Sequence, residues 1–317
     1  LEAPVLAPLN IEAATVTRDT LHVQGLSVVT TKIFPDNPQT DQWTIFGPGF
    51  FGTAERQRHF LSQLAQKGYP IVTFDNKLTG HIENEKNASD KPPSTTELVQ
   101  AAIVLATLDT LPATETAKGV NAIFHSQAAI YGSLAATMDP DHRIGNIVYV
   151  NPKARQMTRP RLYMRGIHEA LTSKITTGTE NTTLENSSSS GLQRIREVVQ
   201  NTWRTRDISL PQLSSIAHSA TRELLMQVHD AGIGVGIVWG EQDKIFLPRE
   251  SQRIFTRQPV DGFGYVQGHH EISTNPQGYA QKIHTVFERL HARQQERALP
   301  TAYIRSLQSV QPFPNVA

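Results

Sequence analysis

The stretch Val120-Asn121-Ala122-Ile123-Phe124-His125-Ser126-Gln127-Ala128-Ala129 decides how the chain is read. Residues 120–124 are mostly β-branched, apolar or aromatic and read as a strand, and 127–137 has helical spacing. A serine therefore stands where a strand turns sharply into a helix. Such a turn lifts the hydroxyl out of the sheet and sets a backbone N–H beside it, as a nucleophile requires. The turn is crowded, so small neighbours suit it, and Ala128 and Ala129 are small. Phe124, two residues before the serine, brings a bulky ring to the same place.

Outward from this turn, strands and helices alternate. Strands are expected at 43–46, 71–74, 147–150, 233–239 and 264–266. Helices are expected at 54–66, 94–111, 213–231 and 277–293. Ser94 and Glu97 form a capping-box pattern at the start of the second of these, and a polar loop covers 76–93. The βαβα series predicts an α/β fold, a mostly parallel sheet flanked by helices. The alternation breaks over 153–210, where 172–191 is dominated by Ser, Thr, Asn and Gly and short helices are expected at 162–171 and 192–203. This segment reads as an inserted helical cap with a flexible loop, placed over the carboxyl ends of the strands. The core then comprises 1–152 and 211–317, with an ordered or frayed tail after Leu299.

The turn at Ser126 resembles the nucleophile elbow, G-x-S-x-G, of the α/β-hydrolase fold superfamily. Ala128 replaces the second glycine and Phe124 the first. Two further segments carry the resemblance. Ile237-Val238-Trp239-Gly240-Glu241-Gln242-Asp243 is similar to the superfamily's acid segment, which implies Asp243 as the acid, with Glu241 as the alternative. Gly268-His269-His270-Glu271 precedes Asn275-Pro276, and a proline seven residues after the histidine matches the superfamily at His269. His269 is the implied base, with His270 as the other reading of the doublet. The order Ser126, Asp243, His269 is that of α/β-hydrolases. By the same resemblance, the backbone N–H groups of Phe50 and Gln127 form the oxyanion hole, and Gly49 and Phe51 line the substrate site. Pro48-Gly49-Phe50-Phe51-Gly52 carries proline where the superfamily has histidine. The resemblance spans roughly 43–293, apart from the insertion.

The whole-chain properties narrow the function. The 317 residues carry a formal net charge of +1, too little for steering toward nucleic acid or acidic membranes. No cysteine is present, which excludes disulfides, thiolate catalysis and cysteine-ligated metals. The doubled histidine has no suitably spaced carboxylate or third histidine, so no metal is expected. No apolar run is long enough to span a bilayer, and the start, Leu1-Glu2-Ala3-Pro4, shows no signal sequence; cytoplasmic is the default location. Sequons begin at Asn87, Asn181 and Asn186, in polar stretches. The basic cluster Lys153, Arg155, Arg159, Arg161 and Arg165 reads as a solvated helix face. The expected activity is that of a serine hydrolase, carboxylesterase- or lipase-like, needing no cofactor and acting on a small-molecule ester or acyl substrate. The alternatives are a lyase or acyltransferase on the same fold, or a non-catalytic binding protein in which Phe124 displaces Ser126.

Overall fold

The computed structural model describes residues 8–50, 52–76, 97–153, 157–172 and 221–308. Its centre is an eight-stranded sheet in the order β1-β2-β4-β3-β5-β6-β7-β8. The strands are β1 (Ala14–Val23), β2 (Leu26–Pro35), β3 (Thr44–Gly47), β4 (Ile71–Phe74), β5 (Val120–His125), β6 (Ile144–Val150), β7 (Gly234–Gly240) and β8 (Gly262–Val266). Only β2 runs against its neighbours; β3 to β8 pair in parallel. Central strands β3, β4, β5 and β7 are buried along their whole length, which is why they read as continuous apolar runs rather than alternating ones.

The helices are α1 (Arg58–Gln66), α2 (Glu97–Leu108), α3 (Ala113–Thr116), α4 (Ala128–Met138), α5 (Arg159–Thr172), α6 (Thr221–Asp230), α7 (Pro248–Phe255) and α8 (Pro276–Gln308). Two apolar cores lie on opposite faces of the sheet. One holds Val104 and Leu108 of α2, Ala135 of α4, Leu225 of α6 and Phe255 of α7. The other holds Phe60 and Leu64 of α1 with Ile283 and Phe287 of α8. Helices on both faces leave the carboxyl ends of β3, β5, β6 and β7 as the place where a site can open.

The structure adds elements that periodicity does not announce. β1 and β2 form a hairpin in full register, closed by Gln24-Gly25 with φ of 49° and 79°, the left-handed pair that a two-residue hairpin turn requires. Helix α7 begins with Pro248 in its first turn. Helix α8 continues past the expected end to Gln308. Of the segment read as a cap, residues 153 and 157–172 are described, the latter containing α5; 154–156 and 173–210 lie outside the described residues, as do Ser94, Phe51 and the three sequons. Of the basic cluster, Arg155 lies outside the described residues, Arg159 and Arg161 of α5 are exposed, and Arg165 is turned in to pair with Glu250 of α7 at 3.2 Å, with Arg161 at 3.5 Å from the same carboxylate. Lys153 is buried, and burial, opposed by the nearby Glu97 carboxylate, lowers its pKa to about 8.

Candidate active site

Ser126 follows the last residue of β5 and has a φ of 57°. A non-glycine residue in this region costs roughly 1–2 kcal/mol. The strained turn is held by the Ser126 N–H, which donates to the Val150 carbonyl at 2.9 Å, and by the immediate start of α4 at Ala128. The serine side chain is thereby raised above the sheet at the amino end of a helix.

Phe124 does not disturb this turn. Its ring is fully buried between Tyr131 and Tyr149, at centroid distances of 6.5 and 6.4 Å. Space for it comes from two other glycines. A Cβ on Gly132 would lie 2.4 Å from the ring, and one on Gly47 would lie 2.5 Å from it. The small residue that the motif lacks at position 124 is supplied by β3 and α4 instead.

The imidazole beside Ser126 belongs to His270. Its Nε2 is 2.8 Å from the Ser126 Oγ, and its Nδ1 is 2.8 Å from the Asp243 carboxylate. Asp243, at the end of β7, uses its other oxygen to accept the N–H groups of Ile245 and Phe246 at 2.7 and 2.9 Å. Both carboxylate oxygens are therefore committed, and the acid is oriented by its own loop. Glu241, the alternative acid, is exposed and pairs with Gln267.

The expectation that His269 occupies this position is corrected. Its Nδ1 faces Glu169 at 3.4 Å instead. The backbone explains the choice between the two. Asn151, after β6, donates to the carbonyls of both His269 and His270, at 3.2 and 2.7 Å, and accepts the Gly240 N–H at 2.7 Å. His125 Nε2 donates to the His270 carbonyl at 2.9 Å. With the loop pinned at these points, consecutive side chains diverge and the second histidine turns inward, against the edge of Phe246. The proline spacing that favoured His269 does not register this one-residue difference.

The electrostatics follow from the same neighbours. Burial lowers the pKa of His270, but the charge and hydrogen bond of Asp243, then Glu271 and Glu169, outweigh it and raise the value to about 9. His125 is the opposite case: burial dominates and lowers its pKa to about 4. Its Nε2–H is used on the His270 carbonyl, and among the described residues its Nδ1 has no hydrogen-bond partner, so a second proton there would be a buried N–H left unsatisfied.

The loop after β3 closes the site from the other side. A Cβ on Gly49 would lie 3.0 Å from the Ser126 Cβ, so the loop backbone passes directly against the serine. Tyr131 donates its hydroxyl to the Pro48 carbonyl, and Asn76 donates to the Gly49 carbonyl at 2.9 Å. Asn76 also belongs to a closed ring of side-chain amides. Gln100 donates to Asn76 at 3.1 Å, Gln127 donates to Gln100 at 3.3 Å, and Asn76 reaches Gln127 at 3.5 Å. All three residues are buried. The ring joins the loop carrying Gly49 and Phe50 to the residue after the serine, and no sequence motif marks it. Leu162 of α5 and Phe246 of the acid loop form a small apolar cluster bordering His270, and Phe50, Met157 and Ile245 pack against it.

A hydroxyl, an imidazole and a carboxylate in this line can pass a proton from serine to histidine while the acid fixes the ring's tautomer. Among the described residues no group of side chains is suited to a metal ion. No helix among them is long and apolar enough to cross a membrane.

Comparisons with known proteins bear on the family and the fold. The family model Hydrolase_4, described as serine aminopeptidase, S33, matches residues 38–277. No curated protein sequence matches. Among solved structures, a bromoperoxidase from Bacillus anthracis superposes with a TM-score of 0.60 at 10% identity, covering 86% of this chain and 100% of its own. An α/β-hydrolase fold protein from Chitinophaga pinensis gives 0.57 at 18% identity, covering 86% and 98%. A bacterial membrane phospholipase A gives 0.59 at 10% identity, covering 87% of each chain. At these identities the likeness is one of fold.

Proposed function

Since the chain belongs to the α/β-hydrolase family described as serine aminopeptidase, S33, we propose that it is a serine hydrolase whose triad is Ser126, His270 and Asp243, acting on a carboxylic ester. One observation carries this reading: a single imidazole lies 2.8 Å from both the Ser126 hydroxyl and the Asp243 carboxylate.

In the first half-reaction neutral His270 removes the Ser126 proton as Oγ bonds to the carbonyl carbon. The negative charge on the carbonyl oxygen is held by the backbone N–H groups of Gln127 and Phe50. His270 returns the proton to the leaving alkoxide and the C–O bond breaks, leaving an acyl-serine. Water repeats the sequence: its proton goes to His270 and its oxygen bonds to the acyl carbon, then the bond from that carbon to Oγ breaks as His270 returns the proton to Ser126, releasing the carboxylic acid. The amide ring of Asn76, Gln100 and Gln127 supports this reading because it links the two loops that carry the oxyanion donors. Loss of one donor typically costs about 3–4 kcal/mol of transition-state stabilisation, so their mutual placement matters.

The family description names an aminopeptidase, and hydrolysis of a peptide bond is the second reading. The surroundings favour the ester. Phe50, Met157, Leu162, Ile245 and Phe246 make the flank of His270 apolar. Such a surface suits an acyl chain better than a charged α-amino group. The segment read as a cap contributes α5 to this flank and belongs to the same proposal.

The test is labelling with a fluorophosphonate, location of the modified residue by mass spectrometry, and turnover of short-chain p-nitrophenyl esters beside aminoacyl p-nitroanilides. Labelling at Ser126 with ester turnover lost in Ser126→Ala is the expected result. Faster turnover of the anilides favours the peptidase reading, and no labelling of folded protein contradicts both.

A further inference from the structure

The acid loop and the histidine loop are joined by a residue from neither. Glu169, on α5, places one carboxylate oxygen 2.7 Å from the His270 N–H and the other 3.0 Å from the Lys244 N–H. Its side chain is only 4% exposed. Burying a carboxylate is costly unless hydrogen bonds replace its water, and bonds from backbone N–H to a charged oxygen are among the stronger ones available.

The rest of α5 is seated around the same loop. Leu162, Arg165 and Glu169 recur at helical spacing and share one face. Leu162 packs with Phe246, Arg165 donates to the Ile245 carbonyl at 3.1 Å, and Arg165 also pairs with Glu250. Residues 244–246 are thus held from two sides: the Asp243 carboxylate accepts the N–H groups of Ile245 and Phe246, and α5 holds the Lys244 N–H and the Ile245 carbonyl.

We propose that Glu169 is a positioning residue: it clamps the backbone of the acid loop to that of the histidine loop, so that the seating of α5 sets the alignment of His270 between Asp243 and Ser126. This rests on the reading of His270 as the proton-transfer group.

Its charge has a second consequence. The groups facing His270 are Asp243 from the end of β7, Glu271 from its own loop, His125 from the end of β5 and Glu169 from α5, with Arg56 near Glu271. Asp243, Glu271 and Glu169 favour the protonated ring, while His125 is held neutral by its burial. Removing the Glu169 charge therefore moves the His270 titration toward lower pH.

The experiment compares wild type, Glu169→Gln and Glu169→Asp by the pH dependence of p-nitrophenyl ester turnover and by NMR titration of the His270 imidazole. In Glu169→Gln the plateau kcat falls about tenfold through misalignment, KM changes less, and the His270 midpoint moves to lower pH. Glu169→Asp keeps the charge on a shorter arm, so it restores the midpoint more fully than the plateau. An unchanged midpoint in Glu169→Gln, or a plateau that falls only in step with the folded fraction, overturns the inference. The NMR midpoint does not depend on turnover. A shifted midpoint in a protein that hydrolyses none of the substrates would support the placement of Glu169 against His270 and count against the ester reading alone.

Discussion

Phe124 and Gly132 are mutually exclusive as side chains: a Cβ on residue 132 would sit 2.4 Å from the Phe124 ring. The pair explains how a nucleophile turn tolerates a phenylalanine where its family has glycine. Gly132→Ala is expected to destabilise the fold by about 1–3 kcal/mol through overpacking. Phe124→Ala in the same chain should relieve the clash while leaving its own cavity. Thermal or denaturant unfolding of the four proteins in the cycle checks this, because coupled neighbours give a non-additive result. Additive effects would mean that the ring and the glycine do not interact.

The amide ring predicts a catalytic effect at a distance. Gln100→Leu leaves Asn76 Oδ1 and Gln127 Nε2 without their ring partners. Each buried group left unsatisfied costs about 1–3 kcal/mol, so the melting temperature should fall. In the fraction that remains folded, kcat for p-nitrophenyl esters should drop about tenfold with little change in KM, because oxyanion donors act on the transition state. A variant with lowered stability and unaltered kcat would show that the ring is structural only.

The pH–rate profile should be displaced to the alkaline side. The base must be neutral to accept the Ser126 proton, and its acidic neighbours raise the His270 pKa to about 9. The rising limb of kcat/KM is therefore expected well above the ordinary histidine range. A limb centred near 6.5, the unperturbed value, would contradict this account of the electrostatics.

Stability has its own pH dependence, with opposite signs for the two buried histidines. The His270 pKa is raised on folding, so its contribution is complete below 6.5 and is lost as pH rises toward about 9. The His125 pKa is lowered, so the unfolded chain takes up a proton that the folded one refuses, and stability is lost as pH falls from 6.5 toward about 4. Melting temperatures measured across this range should decline on both sides of near-neutral pH. His125→Asn should flatten the acid side, and His270→Asn the alkaline side.

Much of this architecture was legible in the residues. The buried parallel strands are continuous apolar runs, and Ser126 directly after β5 and Asp243 in the loop after β7 stand at strand ends, where ligands bind in such folds. The β1–β2 hairpin was less legible, because Arg18 and Thr20 put polar residues on the less exposed side of β1 and break the alternation that Thr15, Thr17 and Asp19 begin. The choice of His270 over His269 depended on which carbonyls Asn151 and His125 pin, contacts between residues more than a hundred positions apart. Glu169 and the amide ring were invisible for the same reason: Glu, Gln and Asn in polar or helical stretches carry no local mark of what they will meet. Helix α5 could have offered one clue, since Arg165 and Glu169 are four residues apart on one face.

The assignment of the base is the central claim, and one measurement addresses it directly: the rate of fluorophosphonate labelling of Ser126 in His270→Ala against His269→Ala. Loss of a triad histidine typically lowers nucleophile reactivity by about 10⁴-fold or more. His270→Ala should abolish labelling on the timescale of the experiment, with the protein still folded, while His269→Ala labels within a few-fold of wild type. Labelling retained in His270→Ala and lost in His269→Ala would contradict the triad described here.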